Sequence, residues 1–336
     1  MNYSFFIGMD ISKLWFDVAL LSTATPRTTQ QQQFDNTLQG FEQMLQWLIA
    51  QGVSSFDQVF FCLEHTGVYS IPLSRFLSEQ KLAYTLVAGN EIKQSSGITR
   101  GKNDQVDAKR IAQYAYKNRD FIRIHTLPLD AIRQLKAMLA YRERLLKAKQ
   151  ALQVAAKELK AFETSQVVDS IATQSQQMVQ QIHQQVLDID KALRNFVKTQ
   201  PQLKANYDLL LSVPGIGEQN ALYLIVVTQN FVAFDCPKKF AAYAGVAPYC
   251  SKSGTSIRSA SKVSPQANKK IKALMSSAVV CSLPKCAEYK AYFDRQIQRG
   301  KNPFSVKNAL RNKIIHRAFA VIKRQTPYVD THAYAA

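Results

Sequence analysis

Two short apolar runs in the first quarter of the chain each end on an acid: Phe5 to Asp10 (FFIGMD) and Val59 to Glu64 (VFFCLE). An unbroken run such as VFFCL reads as a strand buried on both faces, the kind found in parallel sheets covered by helices. Between the two lie a second strand-like run, Leu14 to Leu21, and the polar Gln30 to Gln33 leading into a third short strand position around Phe34. Phe41, Leu45, Leu48 and Ile49 recur at helical spacing. Tyr69 to Leu82 then reads as helix, Tyr84 to Val87 as strand, and a further helix opens within Gly101 to Arg110 (GKNDQVDAKR) and runs to Tyr116. The order β-β-β-α-β-α-β-α lets the strands ending at Asp10 and Glu64 lie parallel and adjacent. In open α/β sheets, sites form at that edge. Gly8, inside the first run, permits another backbone to approach closely.

The helix after GKN brings two more acids. With Asn103 or Asp104 as N-cap, Asp104 and Asp107 lie three residues apart and share a face. One reading makes them ordinary first-turn acids at the positive end of a helix. The other joins them to Asp10 and Glu64 around one or two cations. All-oxygen donors without histidine select Mg2+ or Mn2+ over zinc.

Charge bears on the partner. Residues 1 to 92 carry eight acids and four bases, a net of −4, so the remaining 244 residues must carry +23 to give the chain's total of +19. From Ser251 onward seventeen bases face only Glu288, Asp294 and Asp330. Such an excess is relieved by a polyanion, and nucleic acid fits best because phosphate contacts release counterions. A merely soluble basic surface is the competing reading. The five cysteines are odd in number and form no CxxC, so neither a disulfide frame nor a zinc site is expected. No apolar run reaches the roughly 20 residues of a membrane span and no signal peptide is recognisable, so a cytoplasmic location is expected.

From Asp130 to about Lys198 there is no Gly and no Pro. Leu135, Leu139, Leu146, Leu152, Leu159 and Phe162 form one apolar stripe, and Met178, Ile182, Val186, Ile189, Leu193 and Val197 another, with a bend between Glu163 and Asp169. That is a helical hairpin or coiled coil; periodicity leaves a spacer and a dimerisation arm equally open. In LLLSVPGIGEQNALYLI, from Leu209, a PGIG turn joins two helical segments like a helix-hairpin-helix element, and the N–H groups of Gly215 and Gly217 can take a phosphate. An ordinary structural turn is the alternative, and a Rossmann reading fails because Asn220 occupies the third glycine position.

Tyr249 to Ser264 (YCSKSGTSIRSASKVS) is a polar loop with six serines and one threonine, with Gly254 within it and Lys252, Arg258, Lys262 and Lys269 in reach of a phosphate. A basic amphipathic helix follows from Ala267 to Cys281. Its Lys269, Lys270 and Lys272 stand near the positive helix end and call for an anion. Helices at Glu288 to Arg299 and Ser305 to Arg324 complete the chain, and Tyr289, Tyr292, Phe293 and Phe304 among the bases read as core before base-stacking platforms.

The segments GMDISK, LEHTGVY, NDQVDAKRIA and SGTSIRSASK together resemble the Piv-type insertion-sequence transposases, the insertion-sequence-one-ten family. The resemblance covers essentially the whole chain. It implies a bacterial protein with a RuvC-like, ribonuclease H-like catalytic domain over residues 1–125, a coiled-coil dimerisation arm over 126–200, and a mainly α transposase domain over 201–336. It makes Asp10, Glu64, Asp104 and Asp107 a metal-binding catalytic quartet and Ser253, just before Gly254, a nucleophile that would form a 5'-phosphoserine ester with DNA. It also implies dimers or tetramers with composite sites, and a structured bridge RNA pairing with target and donor DNA. Composition alone leaves Ser251, Ser256 and Tyr249 as rival nucleophiles. Rival functions are a Holliday-junction-type, metal-dependent endonuclease in which Ser253 only binds phosphate, and a non-catalytic nucleic-acid-binding protein. An actin-fold sugar kinase, suggested by GMDISK, lacks a glycine-rich nucleotide site.

Overall fold

A computed structural model describes residues 3–26, 28–96, 104–249, 252–253, 257–258, 262–263 and 267–330. The chain forms two compact units, Met1–Leu127 and Pro128–Ala336.

In the first unit, β1 (Phe5–Ile11), β2 (Trp15–Ser22) and β3 (Thr29–Asp35) form an antiparallel meander. After α1 (Leu38–Ala50), β4 (Val59–Glu64) pairs parallel to β1 and, after α2 (Ile71–Glu79), β5 (Tyr84–Val87) pairs parallel to β4. The sheet order is β3-β2-β1-β4-β5. The mixed five-stranded sheet follows the order of runs, and its arrangement is the ribonuclease H-like one that the family resemblance implies.

Both faces are covered, which is why β4 is apolar throughout. Ile7, Met9, Val18, Phe61 and Leu63 meet Phe41, Met44 and Leu48 of α1 and Leu73, Phe76 and Leu77 of α2. On the other face Phe6, Ala19, Leu21, Phe60 and Cys62 meet Ile92 of α3 (Gly89–Ser96) and Ala108, Ile111, Ala112 and Ala115 of α4 (Asp104–Lys117). The Cys62 thiol is pushed up by burial and is inert packing.

Three features depart from the sequence reading. Gln30 to Gln33 do not lead into a strand; they are in β3, an edge strand whose side chains are mostly exposed. The helix expected over Tyr69 to Leu82 is shorter, and α3 was not expected at all, being eight mostly polar residues that begin on glycine.

The second unit begins with α5 (Asp130–Phe162) and α6 (Gln166–Lys198), each of 33 residues, about 50 Å. Arg142 meets Asp190 and Lys149 meets His183, so the helices run antiparallel from a bend at residues 163–165. Only the root of the hairpin joins a globular core: Ile132, Leu135, Leu139, Leu193 and Val197 pack with α7 (Pro201–Leu211), α8 (Glu218–Val227), α9 (Pro237–Tyr243), α10 (Lys269–Ser282) and α12 (Pro303–Arg324). Toward the bend the expected stripe thins, with Met178 exposed and Phe162 at 92% exposure. Between α10 and α12 lies α11 (Ala287–Gln298). The sequence from Tyr249 to Ser264, read as a loop, carries strands instead. β6 (Pro248–Tyr249) pairs with β9 (Lys262–Val263), and β7 (Lys252–Ser253) with β8 (Ile257–Arg258), both antiparallel. Among the described residues no helix is long and apolar enough to cross a membrane, and the described cysteines are free thiols.

Candidate active site

Asp10 and Glu64 stand at neighbouring strand ends. The parallel register reaches Met9 against Leu63, and one step further sets Asp10 beside Glu64. Across the other edge of β1, Asp10 is the register partner of Asp17, and Asp17 of Gln33. Asp10 lies on the same face as Gly8 and Phe6, the face that α4 covers.

Gly8 fixes how α4 lies there. A Cβ at Gly8 would fall 2.2 Å from both Ala108 O and Ala112 N, so the helix backbone rests on the strand backbone. Phe6 meets Tyr116 edge-on with ring centroids 5.6 Å apart. Moving from Phe6 to Gly8 along β1 therefore runs from Tyr116 back to Ala108 along α4, and the next step takes Asp10 toward the first turn of α4. Asp104 and Ala108 are four residues apart and share a helix face.

Glu64 ends β4, and its Oε1 occupies the space over Gly89, where a Cβ would be 2.2 Å away. Asp107 is in the first turn of α4, and its carboxylate accepts from Arg110 Nη1 at 2.7 Å. The Asp104 side chain lies outside the described residues, as does the proposed cap Asn103. Among the described residues no three acids, histidines or cysteines are close enough to share an ion. What the backbone brings together is the Asp10 and Glu64 positions beneath the start of α4. All the donors are oxygens, and carboxylates set side by side at adjacent strand positions repel one another unless a cation intervenes. That donor set fits a hard divalent ion.

Sequence reasoning missed Asp17, which is 3% exposed, lies directly opposite Asp10 and accepts from Gln33 Nε2 at 3.2 Å. Its signal was present: an acid in the middle of the apolar run WFDVALL. Gly89 gave none, because its role depends on where Glu64 folds.

In the second unit, Ser253 is the last paired residue of β7, opposite Ile257, and only residues 254–256 separate the two. It thus sits at the tip of a β-hairpin. Lys252 and Arg258 are register partners across the β7–β8 pairing. Gly254 lies outside the described residues, and at Ser253, Lys252, Arg258 and Lys262 the backbone alone is described. Both roots of the hairpin are tied down: Asn308 Nδ2 donates to Val246 O at 2.8 Å, and Asn268 N donates to Tyr243 O at 2.9 Å.

At the PGIG turn the two glycines differ. Gly215 has φ +91° and lies against α10, where a Cβ would be 2.8 Å from Ala278 O; beside Gly217 there is open space. Glu218 occupies the first turn of α8 and pairs with Arg194 at 3.1 Å. Lys269 is exposed at the start of α10. Lys270 has an internal anion, Glu143 at 3.5 Å, and lies over the Tyr223 ring. Burial would raise the Glu143 pKa, but Lys270, Tyr223 and Lys147 outweigh it and hold the carboxyl below its usual range.

A transposase family model of the DEDD type matches residues 7–162, and that of the transposase IS116/IS110/IS902 family matches residues 207–294. The chain belongs to the IS110 family of transposases. This IS110-family chain is 27% identical over 332 residues to the pilin gene-inverting proteins of Moraxella lacunata and Moraxella bovis, across 96% of its own length and 97% of theirs. It is also 34% identical over 122 residues to an uncharacterized protein of insertion element IS110 from Streptomyces coelicolor, covering 36% of this chain and 29% of that one. The IS110-family chain is accordingly a DNA transposase or recombinase, and a DEDD domain of this type works with a divalent metal.

Proposed function

We propose that this IS110-family transposase cuts and rejoins DNA through a covalent ester on Ser253, with Asp10, Glu64, Asp104 and Asp107 holding Mg2+ or Mn2+. The observation that carries the metal half is the register of α4 on β1, set by Gly8, which aims the helix's first turn at the Asp10 and Glu64 strand ends. An ion bound there would neutralise charge on the scissile phosphate and ease ionisation of a nearby hydroxyl.

Ser253 is the last paired residue of β7, next to the residues that link β7 to β8. Its Oγ attacks phosphorus, the bond from phosphorus to the 3'-oxygen breaks, and the serine proton ends on that oxygen. The products are a 5'-phosphoserine and a free 3'-hydroxyl. Attack by a 3'-hydroxyl on the same phosphorus reverses the step and restores serine. Conserving the ester suits inversion, the activity in the names of the Moraxella relatives, because inverted DNA must be rejoined. Hydrolysis would discard that energy.

The acids belong to the first unit and Ser253 to the second. In our reading composite sites form between protomers in a dimer or tetramer, with the α5–α6 hairpin as the arm that joins them. A bridge RNA supplies sequence recognition by base pairing while the basic surface holds backbone. Incubating the wild type with supercoiled plasmid bearing the element's ends should give DNA that runs attached to protein, and peptide mapping should find the link at Ser253. Ser253→Ala abolishes the adduct. If that variant still nicks at the same positions, hydrolysis by the quartet replaces this reading. Sequencing RNA that co-purifies with the protein tests the guide.

A further inference from the structure

Several cations of the second unit are matched by acids of the same unit. Glu288 takes Lys313 and Arg317, Asp190 takes Arg142, and Glu143 takes Lys270. Arg311 on α12 is not. Its guanidinium is half-buried, Nη1 donates to Asn308 Oδ1 at 3.2 Å, and Nε is enclosed without an acceptor. No carboxylate among the described residues pairs with it. Burial lowers its pKa with nothing to offset the loss of water. A partly desolvated charge without a counter-charge is unfavourable in the free protein and becomes favourable when an anion arrives from outside.

Arg311 does not stand alone. Phe304 and Lys307 precede it by seven and four residues and so share its helix face. Phe304 is 77% exposed, against the expectation that it would be core, and Lys307 makes no ion pair among the described residues. The same stripe holds Asn308, which anchors the serine hairpin at Val246. Ser253 lies five residues beyond Pro248, so the chain between them can span at most about 17 Å. That is about five base steps along a duplex.

We propose that Arg311, flanked by Lys307 and Phe304, is a backbone clamp for the DNA strand cut at Ser253: the guanidinium takes a phosphodiester a few nucleotides from the scissile one, and Phe304 lies against the adjoining sugar or base. The proposal rests on the reading of the hairpin as the cutting element. Arg and a neighbouring Lys supply the charge, and an exposed ring at the next turn suits a nucleotide face.

The test uses the full-length protein and a short duplex carrying the element's end, with binding and adduct formation read separately. Arg311→Met should melt at or above the wild-type temperature in buffer free of sulfate and phosphate, since it removes an uncompensated charge. Its duplex affinity should fall about tenfold, and the slope of log affinity against log salt should drop by about one. Inorganic sulfate should raise the melting temperature of the wild type more than that of the variant. Lys307→Gln, on the same helix face, is the second variant and should weaken duplex binding about threefold. A lower melting temperature with unchanged duplex affinity in both variants would overturn the proposal, as would a loss confined to a structured RNA hairpin. Loss of duplex binding in Arg311→Met alongside a wild type that forms no protein–DNA adduct would keep the clamp and remove the serine chemistry instead.

Discussion

At Gly8 the absence of a side chain lets the α4 backbone rest directly on β1. Gly8→Ala would put a methyl carbon 2.2 Å from two α4 backbone atoms, neither of which can swing aside. It should cost about 1–3 kcal/mol in denaturant unfolding. It should also weaken the rise in melting temperature with Mg2+, because the helix start moves with the helix. Gly89→Ala separates those effects. Its new methyl meets the flexible end of Glu64, so stability should change little while the Mg2+ response falls. Equal losses of stability in the two variants would contradict this account of Gly89. Glu288 offers a contrast at the other end of the chain. Its carboxylate accepts from Lys313 and Arg317 at 2.5 Å and from Tyr328 at 3.0 Å. Burial pulls its pKa up, yet hydrogen bonds from Arg317 and Lys313 win and hold it at about 2. A depressed carboxyl stabilises the fold above its ordinary value near 4.5, and that contribution is lost as pH falls from 4.5 toward 2. Glu288→Gln should therefore cost about 1.5–3 kcal/mol at pH 7, and the gap from wild type should close below pH 4.5. A gap independent of pH would mean that packing, not charge, is what Glu288 supplies.

At the scale of elements, α6 is set by a cap that its sequence announces. Ser165 has extended backbone and accepts from Val168 N at 3.3 Å, starting the helix three residues after α5 ends. Ser165→Ala should cost about 1 kcal/mol, felt as faster hydrogen exchange at the bend and not at the hairpin root, where Leu193 and Val197 are in the core. Periodicity also revealed the hairpin itself and the strands β1, β4 and β5, because burial on two faces leaves an unmistakable apolar run. It failed where local sequence and burial part company. Gln30 to Gln33 form a strand because β2 offers a pairing edge, and nothing in four glutamines records that edge. The serine-rich segment pairs with itself around Ser253, although its composition is that of a loop. The positions of Asp10 and Glu64 were legible as strand ends; that α4 would rest on Gly8, and so start above them, required the packing. Charge misled in one respect. Lys270, Lys313 and Arg317 counted toward a nucleic-acid surface, yet each is held by an acid inside the same unit.

For the whole molecule, the consequence of placing acids and serine in separate units is a question of which chains cooperate. The charge asymmetry already separates duties: a net of +1 over residues 1–127 and +18 over residues 128–336 gives the second unit the larger share of electrostatic binding. Charge reversal at Lys269, exposed at the start of α10, should lower the salt slope of DNA affinity by about one, while reversal at Lys13 in the first unit should leave it unchanged. On the proposed chemistry, binding in the second unit would bring the strand to Ser253, and the acids would come from the first unit. If one protomer supplies both, each defective chain stays defective whatever it is mixed with. If protomers share the site, Asp107→Ala lacks only the acids and Ser253→Ala lacks only the nucleophile, so a mixed assembly contains a complete pairing of one sound quartet with one sound serine. Equimolar mixing after co-refolding or co-expression should restore strand cleavage to about a quarter of wild type for a dimer with random assortment and one working site per mixed pair, because half the dimers are mixed and each has one of two sites intact. Complementation carries its own label: every covalent adduct in the mixture should map to the Asp107→Ala chain, the only one with Ser253. No cleavage above that of either variant alone, from chains shown by size to have exchanged, would place acids and serine of one protomer in the same site.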